Sequence, residues 1–338
     1  MTRGRMISAA LLAAIILASG CNQKPEETPQ LTPVKVQIKW LHQAQFAGNY
    51  VALEKGFYEN QGIRITELRP FDYVHYPIDA VENKEADFGI TSMDEMITAK
   101  AEGKAKHVKA IAVIYRTTPI CLYSLKESGI KKPQDLIGKT VGIERAADGT
   151  EINIGILYKA MMNRLGLNRS QVKEVTIGYD ATELLSGKTD ASSGYVINEP
   201  QGAIEAGRDV NIILMAEYGV NMPADIIITH EDTIRDNPKL VLGFLKATLD
   251  GWQYAIENEE YAVNAKLKYA VNRTRSHEAY MMSMSIPLIY NGNMHIGSMD
   301  KQEWEAAQRI LLDQGIIKEG IDLESAYTTA FLEKIYGL

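Results

Sequence analysis

Apolar and polar positions alternate with two different periods along the chain. "VKVQIKW" alternates at every second position, as a strand does, and residues 46–60 then place apolar side chains at helical spacing. The same strand–helix order continues through "IRITELRPF", "YPIDAVENKEA", "DFGIT" and "MDEMITAKAEG", and two further strands follow, "VKAIAVIYR" and "ICLYSLK". This alternation predicts an α/β fold in which the sheet is mostly parallel.

A second strand–helix series begins at "KPQDLIGKTVGIE" and runs to "VNIILMAEYGV". After "PADIIITHEDTI" the pattern is mainly helical, and Asn237 with Pro238 predicts the start of a long helix. We therefore predict a first lobe from residues 34–118 and 221–338 and a second lobe from residues 119–220. The chain would cross between lobes twice, forming a hinge, and the cleft between lobes is the predicted ligand site.

The N-terminal pattern differs from the rest of the chain. Arg3 and Arg5 precede a short apolar run that ends in "LASGC". This order resembles the lipobox of bacterial lipoproteins, which implies a signal peptide at residues 1–20 and acylation of Cys21. An ordinary signal peptide followed by a chance cysteine is the alternative. Residues 21–33 are polar and proline-rich, which predicts a flexible tether.

Composition narrows the classes of function. The 338 residues include 36 basic and 43 acidic side chains, and removal of residues 1–20 would leave 34 basic ones. This acidic balance argues against a nucleic-acid partner. With Cys21 acylated, Cys121 has no partner for a disulfide within the chain, and its apolar surroundings "PICLYSL" predict a buried, unreactive thiol. The motifs GxxxxGK[ST], HExxH, GxSxG and CxxC are absent, so we expect neither an enzyme nor a cofactor.

Several segments, taken in order, carry a family resemblance. They are "WLHQAQFAGNYVALEKGFYENQGI", "EADFGITSMDEM", "LIGKTVGI", "YVINEP" and "NPKLVLGFLKATLDGWQYAIEN". Together they resemble the solute-binding proteins of ABC importers, in the branch that includes binders of thiamine pyrimidine precursors and, more distantly, of nitrate, sulfonate and taurine. Fungal enzymes that make the thiamine pyrimidine share this fold but use a cysteine-rich iron motif, and this sequence has only Cys121 in that part of the chain.

The resemblance implies a two-lobed, type II periplasmic-binding-protein fold and a monomer on the extracytoplasmic side of a membrane. Its implied partners are a small-molecule ligand and the permease and ATPase subunits of an importer. The implied ligand is a planar nitrogen heterocycle, first a thiamine pyrimidine precursor, then riboflavin, and then a small anion such as nitrate, a sulfonate or taurine. A pyrimidine-synthesising enzyme or a sensory module on the same lobes is the alternative.

Within this layout, the end of the first strand is the first predicted wall of the site, because ligands lie outside the carboxyl ends of strands in open α/β sheets. Trp40 would stack on the ligand, and Gln43 or Gln45 would donate or accept hydrogen bonds. Backbone N–H groups at Phe46–Gly48 would point into the site from the start of a helix. The alternative is that Trp40 and Phe46 fill the core, which is the role we expect for Tyr50, Phe57 and Tyr58.

Two further segments extend this wall. Ser92 and Met93 follow the third strand and open a helix, so the hydroxyl and nearby amides would bind a polar ligand edge or, equally well, cap the helix. Arg116 and Thr117 lie where the chain leaves the first lobe. Arg116, like Arg145, would pair with an anionic ligand, although a salt bridge on the surface is the commoner fate of an arginine.

The second lobe supplies the opposite wall. In pyrimidine-binding relatives, acidic and amide groups accept hydrogen bonds from the ligand, and the matching positions here are Glu144, Asp148, Asn198 and Glu199. Tyr195 would close the aromatic stack. For Asp148 and Asn198 the alternative is turn formation beside glycine and proline.

This sequence departs from the family's glycine-rich loop after the second strand. It has "RPFDYVHYP" there, so Phe71, Tyr73 and His75 would narrow the pocket or extend its aromatic surface.

Overall fold

The computed structural model describes residues 30–72, 74–146, 149, 151–270 and 273–338. Its strands are β1 (Thr32–Gln37), β2 (Ile63–Arg69), β3 (Phe88–Thr91), β4 (Val108–Tyr115), β5 (Ile120–Leu125), β6 (Thr140–Glu144), β7 (Lys173–Ile177), β8 (Ala191–Tyr195), β9 (Val210–Leu214) and β10 (Ala224–His230). Its helices are α1 (Ala47–Glu54), α2 (Phe57–Asn60), α3 (Pro77–Glu82), α4 (Met93–Ala101), α5 (Asn153–Arg164), α6 (Thr182–Leu185), α7 (Glu199–Glu205), α8 (Glu231–Asp236), α9 (Pro238–Glu257), α10 (Glu259–Leu267), α11 (Arg275–Ile289), α12 (Lys301–Asp313) and α13 (Ala330–Tyr336).

The strands form two separate five-stranded sheets. The first has the order β2-β1-β3-β10-β4 and the second the order β7-β6-β8-β5-β9. In the first sheet β10 runs antiparallel to both neighbours, and in the second β5 does. Each sheet is therefore mixed, with four strands in one direction, and the predicted two-lobed α/β architecture is confirmed.

The antiparallel strands are a consequence of the connections between the sheets. The chain leaves the first sheet after β4 and enters the second directly as β5, without the crossover helix that a parallel neighbour requires. It returns from β9 to β10 through a short turn at Met215–Tyr218. The side chain of Asn221 joins the two connections, because it donates to the Arg116 carbonyl at 2.9 Å and accepts from the Thr118 amide at 2.8 Å.

Strand β1 begins at Thr32, two residues before the predicted start of the first lobe at residue 34. Thr32 and Pro33 pair with Ile63 and Arg64 of β2, so they belong to the first sheet. Regular backbone pairing to β2 extends β1 although both of these side chains are exposed.

Two glycines allow helices α1 and α9 to cross at close range. A Cβ atom on Gly48 would lie 2.3 Å from the Trp252 ring, and one on Gly251 would lie 2.2 Å from the Gly48 carbonyl oxygen. Both distances are far below van der Waals contact, so the crossing requires glycine at both positions. Gly48 thus serves packing between helices.

The core contains the aromatic residues for which we predicted packing roles. Tyr50 and Tyr58 are buried, and Phe57 is half-buried against the same core. Cys121 is fully buried, and burial raises the pKa of its thiol well above the ordinary value, which confirms the predicted buried thiol. Among the described residues, every helix is too short or too polar to cross a bilayer.

Candidate functional site

The carboxyl ends of the strands in the two sheets face each other. Lys39 and Trp40 follow β1 in the first lobe, while Tyr179 follows β7 and Tyr195 ends β8 in the second. The rings of Trp40 and Tyr179 have centroids 5.3 Å apart, and the Lys39 ammonium lies 5.8 Å from the centroid of the Tyr195 ring. These contacts define a cleft between the lobes at the position expected for a ligand in open α/β sheets.

An aromatic cluster lines one end of this cleft. Trp40 is half-buried and stacks on Phe71, with centroids 6.2 Å apart and ring planes 11° apart. Phe71 in turn meets Tyr76 edge-on at 5.2 Å. Phe71 therefore extends the aromatic surface that Trp40 begins. His75 instead lies at the surface and bonds Asp72 at 2.7 Å.

A buried polar network lies beside the aromatic cluster. The Lys39 ammonium is 2.9 Å from the Asp225 carboxylate, and the Gln45 side chain donates to both oxygens of that carboxylate at 2.9 and 2.8 Å. Gln45 also accepts from Gln43 at 2.6 Å. Gln45 is thus fully engaged within the protein, whereas Gln43 Oε1 has no partner among the described residues.

The backbone of Asp225 adopts a conformation that is uncommon outside glycine. Its φ is +50°, in the left-handed region that aspartate tolerates better than most residues. Such strained positions persist where the surrounding structure holds them, and they cluster at functional sites. The conformation places the start of β10 at the cleft, beside Lys39.

The charges in this network influence one another across the cleft. Burial by itself lowers the pKa of Lys39, but the Asp225 carboxylate and the nearby Tyr195 and Glu95 outweigh it and hold that pKa above its ordinary value. Burial raises the pKa of Tyr195 to about 12, against the opposing charge of Lys39. Burial also raises the pKa of Asp94 to about 6, and the charge of Glu95 adds to that rise. Lys39 is therefore charged at neutral pH, and Tyr195 keeps its phenolic proton as a hydrogen-bond donor.

The start of α1 differs from the prediction. The Ala44 amide donates to the Glu278 carboxylate at 2.7 Å, and the Gln45 amide contacts the Met281 sulfur at 3.3 Å. Phe46 is buried in the core. The expectation that Phe46 and the amides beside it open into the site is therefore wrong, because the Phe46 ring is buried and the amides of Phe46 and Ala47 already donate to the carbonyls of Gln43 and Ala44.

Glu278 itself forms a fully buried ion pair with Lys266. Because its other oxygen accepts from the Ala44 amide, this pair fixes the loop that carries Lys39 and Trp40 onto helices α10 and α11.

At the start of α4, Met93 is fully buried in the core, so a direct contact between Met93 and a ligand is not supported. The Ser92 hydroxyl is buried, forms a capping box with Glu95 and, as a donor to Asp94, opposes the rise in the pKa of that carboxyl. The helix is capped by Glu95, which accepts from the Ser92 amide at 3.3 Å and from the Thr91 hydroxyl.

Arg116 and Thr117 lie at the connection between the sheets. The Arg116 guanidinium contacts Glu303 and lies 3.6 Å from Asp300. The amides of Arg116 and Thr117 both donate to the Leu288 carbonyl, at 3.0 and 3.1 Å. The salt-bridge alternative therefore describes Arg116, and its use as an anion ligand is wrong, because two carboxylates already neutralise it.

Arg145, the second predicted anion ligand, is also engaged. Its guanidinium bonds Glu174 at 3.0 Å and the Thr176 hydroxyl at 3.1 Å.

Two carboxylates of the second lobe, Glu144 and Glu199, are buried, and both have raised pKa values. Glu199 accepts from the Tyr195 amide at 2.6 Å and from the Asn198 side chain. Glu144 Oε1 is buried and has no partner among the described residues. Burial, reinforced by the charge of Glu199, raises the pKa of Glu144 well above its ordinary value, and burial raises that of Glu199 to about 7. Asp148 and Cys21 lie outside the described residues.

Prediction from sequence missed four participants: Lys39, Asp225, Tyr179 and Asn153. Lys39 adjoins Trp40 at the strand end, so its position alone would have signalled it. Asp225 is the one charged residue within the otherwise apolar start of "ADIIIT", which is also a readable signal. Tyr179 becomes part of the site only through the arrangement of the lobes, and Asn153 only through a contact between distant segments of the second lobe. Asn153 donates to the Tyr195 hydroxyl at 3.2 Å.

The fold is shared with solved structures of binding proteins. A putative periplasmic sulfonate-binding protein SsuA from Methylobacillus flagellatus superimposes with a TM-score of 0.69 at 16% identity, over 92% of this chain and 95% of that one. The two-lobed architecture is therefore that of the periplasmic binding proteins. Residues 43–262 match the family described as NMT1/THI5 like, and the chain belongs to that family.

Sequence relatives span nearly the whole chain. The riboflavin-binding protein RibY of Chloroflexus aurantiacus is 26% identical over 91% of this chain and 88% of its own. The formylaminopyrimidine-binding protein of Halalkalibacterium halodurans is 26% identical over 96% of this chain and 98% of its own. A relative from Legionella pneumophila, also 26% identical, over 88% of this chain and 92% of its own, is a 4-amino-5-hydroxymethyl-2-methylpyrimidine phosphate synthase. The family thus includes both binding proteins and enzymes.

Proposed function

We propose that the protein is an extracytoplasmic solute-binding protein that captures a planar, amino-bearing heterocycle between its lobes and delivers it to an ABC permease. The observation that carries this proposal is the contact between Trp40 of one lobe and Tyr179 of the other, since it brings stacking surfaces from both lobes to one cleft. Closure of the lobes on a flat ring would enclose it between these surfaces.

The polar groups of the cleft favour a ligand with hydrogen-bond donors. Glu144 Oε1 and Gln43 Oε1 are buried acceptors without partners among the described residues. A buried polar atom without a partner costs on the order of 1–3 kcal/mol, and N–H groups of a ligand would remove that cost. An aminopyrimidine supplies such groups, and it also pairs well with a carboxylate such as Glu144.

The same groups disfavour a sulfonate or nitrate. An anion needs positive charge, but Arg116 and Arg145 are bound to carboxylates, and Lys39 is paired with Asp225. Glu144 and Glu199 supply no positive charge to offset this. The pyrimidine precursor therefore ranks first, and riboflavin second on the strength of the relative that binds it.

Titration calorimetry with the purified protein tests this ranking. We expect one molecule of formylaminopyrimidine to bind per chain without added metal or cofactor, while taurine and an alkanesulfonate fail to compete. Glu144→Gln should weaken binding, whereas Glu127→Gln, at an exposed carboxylate, should leave it unchanged. If riboflavin binds more tightly than formylaminopyrimidine, the proposed ligand becomes riboflavin. Tight binding of a sulfonate would refute the proposal.

We further propose that the protein binds its ligand without converting it. The fungal enzymes on this fold use a cysteine-rich iron motif, and Cys121 is buried with a raised pKa. Recovery of chemically unchanged ligand after prolonged incubation supports this assignment. Conversion of the ligand that a single substitution in the cleft abolishes would make the protein an enzyme instead.

Finally, we propose that acylation of Cys21 anchors the protein to a membrane on its extracytoplasmic side. Cells fed a fatty-acid analogue should label the wild type and leave Cys21→Ala unlabelled. Equal labelling of both proteins would exclude the anchor.

A further inference from the structure

Two neighbouring residues of α11 bind the two lobes separately. Glu278 bonds Lys266 and the Ala44 amide, which belong to the first lobe. The adjacent His277 is buried and bonds Asn198 and Glu205, at the two ends of α7 in the second lobe. One turn of α11 therefore joins the ligand-site loop after β1 to the second lobe.

The contacts of His277 require more protons than a neutral imidazole carries. Its Nε2 lies 2.9 Å from Asn198 Oδ1, and its Nδ1 lies 3.3 Å from a carboxylate oxygen of Glu205. Both partners are acceptors, so both ring nitrogens must donate, and only the imidazolium does so. In this arrangement the Asn198 amide nitrogen donates to an ionised Glu199.

A second arrangement satisfies the same atoms. If the Asn198 amide is reversed, its nitrogen donates to Nε2 of a neutral His277, because oxygen and nitrogen of an amide have the same shape. The Asn198 oxygen then faces Glu199, which must carry a proton to donate. Each arrangement carries one proton more than the combination of a neutral His277 with an ionised Glu199. This additional proton is on His277 in the first arrangement and on Glu199 in the second. Without that proton, each arrangement leaves two acceptors facing each other.

We propose that His277, Asn198 and Glu199 form an interlobe proton relay that holds the lobes closed only while it carries this proton. The relay rests on the proposed function only in that closure accompanies ligand binding. His277 is thus a positioning residue for the second wall of the site, since Asn198 and Glu199 begin the helix that forms this wall.

Burial shifts the pKa values at the two ends of the relay in opposite directions. Burial raises the pKa of Glu199 to about 7. The hydrogen bond from the Tyr195 amide and the charge of Arg273 both oppose this rise. Glu144 is the neighbouring group of like charge. Burial lowers the pKa of His277, as does Arg273, while Glu205 and Glu278 oppose them. Both directions favour the arrangement in which Glu199 carries the proton and His277 is neutral.

The sign of the pH effect follows from these directions. When the lobes separate, His277 titrates near its ordinary pKa of about 6.5 and Glu199 near about 4.3. Closure thus raises the pKa at which the last proton of the relay leaves. Its contribution to closure is full below about pH 6.5 and is lost as the pH rises above about 7.

Distances between spin labels on the two lobes test the relay in the full chain without any ligand. With labels at Glu85→Cys and Lys188→Cys, we expect the ratio of closed to open protein to fall by about a factor of three from pH 6 to pH 8.5, because that is the change that a pKa rise from about 6.5 to about 7 allows. His277→Gln keeps a permanent donor toward Asn198, and Glu199→Gln keeps one at the other end, so both variants should lose this response. The matched control is His107→Gln, at an exposed histidine bound to Glu82, which should respond as the wild type does.

A wild-type distance distribution that does not change with pH would overturn the relay, and so would His277→Gln with the wild-type response. If His277→Gln does not fold, Glu199→Gln is judged by the same criterion. Calorimetry with formylaminopyrimidine at both pH values separates the two proposals. If closure depends on pH but formylaminopyrimidine does not bind, the proposed ligand is refuted and the relay is supported. If formylaminopyrimidine binds but closure does not depend on pH, only the relay is refuted.

Discussion

Replacement of Trp40 by alanine is the most direct perturbation of the proposed ligand site. In the closed cleft the indole contacts two rings, Phe71 in its own lobe and Tyr179 in the other. Stacking of a base on an aromatic side chain contributes about 1–3 kcal/mol in nucleic-acid sites, and a planar heterocycle on Trp40 is analogous. At about 1.4 kcal/mol per decade, Trp40→Ala should weaken ligand binding by roughly 5- to 150-fold. Trp40→Phe should retain part of the affinity, because a smaller ring still stacks.

The effect on folding should be much smaller. Trp40 is half-buried at the edge of the core, whereas deletion of a fully buried tryptophan side chain costs about 3–5 kcal/mol. We therefore expect the free energy of unfolding to fall by less than that amount, and the melting temperature to change only modestly.

Intrinsic fluorescence is the natural assay, because the three tryptophans differ in position. Trp252 and Trp304 are buried in the helical part of the first lobe, and Trp304 stacks on Tyr327. Ligand should change the emission of the wild type and of Trp304→Phe, and should leave that of Trp40→Ala almost unchanged. A sharp loss of melting temperature with unaltered affinity in Trp40→Ala would show that Trp40 belongs to the core and would refute this reasoning.

Three further outcomes follow from the packing. Asp225→Asn leaves the buried Lys39 ammonium without its counter-ion, so urea titration should show a loss of about 3–5 kcal/mol in the free energy of unfolding. The control Asp232→Asn, which removes an exposed pair, should cost less than about 1 kcal/mol. Gly48→Ala should destabilise the α1–α9 crossing by at least about 1–3 kcal/mol. Gly155→Ala should not destabilise the protein, because a Cβ atom there would make only ordinary van der Waals contacts. Equal melting temperatures of the two variants would contradict the requirement for glycine at the crossing. The Cys121 thiol should react with a maleimide only after unfolding, and rapid labelling of the native protein would contradict its burial.

The periodic pattern of the sequence determined most of the architecture. Apolar alternation located the strands and helices. Trp40 and the carboxylates Glu144 and Glu199 were readable as site candidates, because polar and aromatic groups at strand ends lie where an α/β sheet binds its ligand. These features depend on local sequence and on rules that hold for the whole fold class.

Contacts between distant segments decided the rest. Phe46 was expected at the site, but it is buried, and the preceding Ala44 amide is capped by Glu278, more than 200 residues further along the chain. Arg116 was a candidate for binding an anion until Glu303 was found beside it. Tyr179 and His277 acquire their roles only from the opposite lobe. Local sequence governs backbone preference and burial, but the partner of a buried polar group is fixed by which segments the fold brings together.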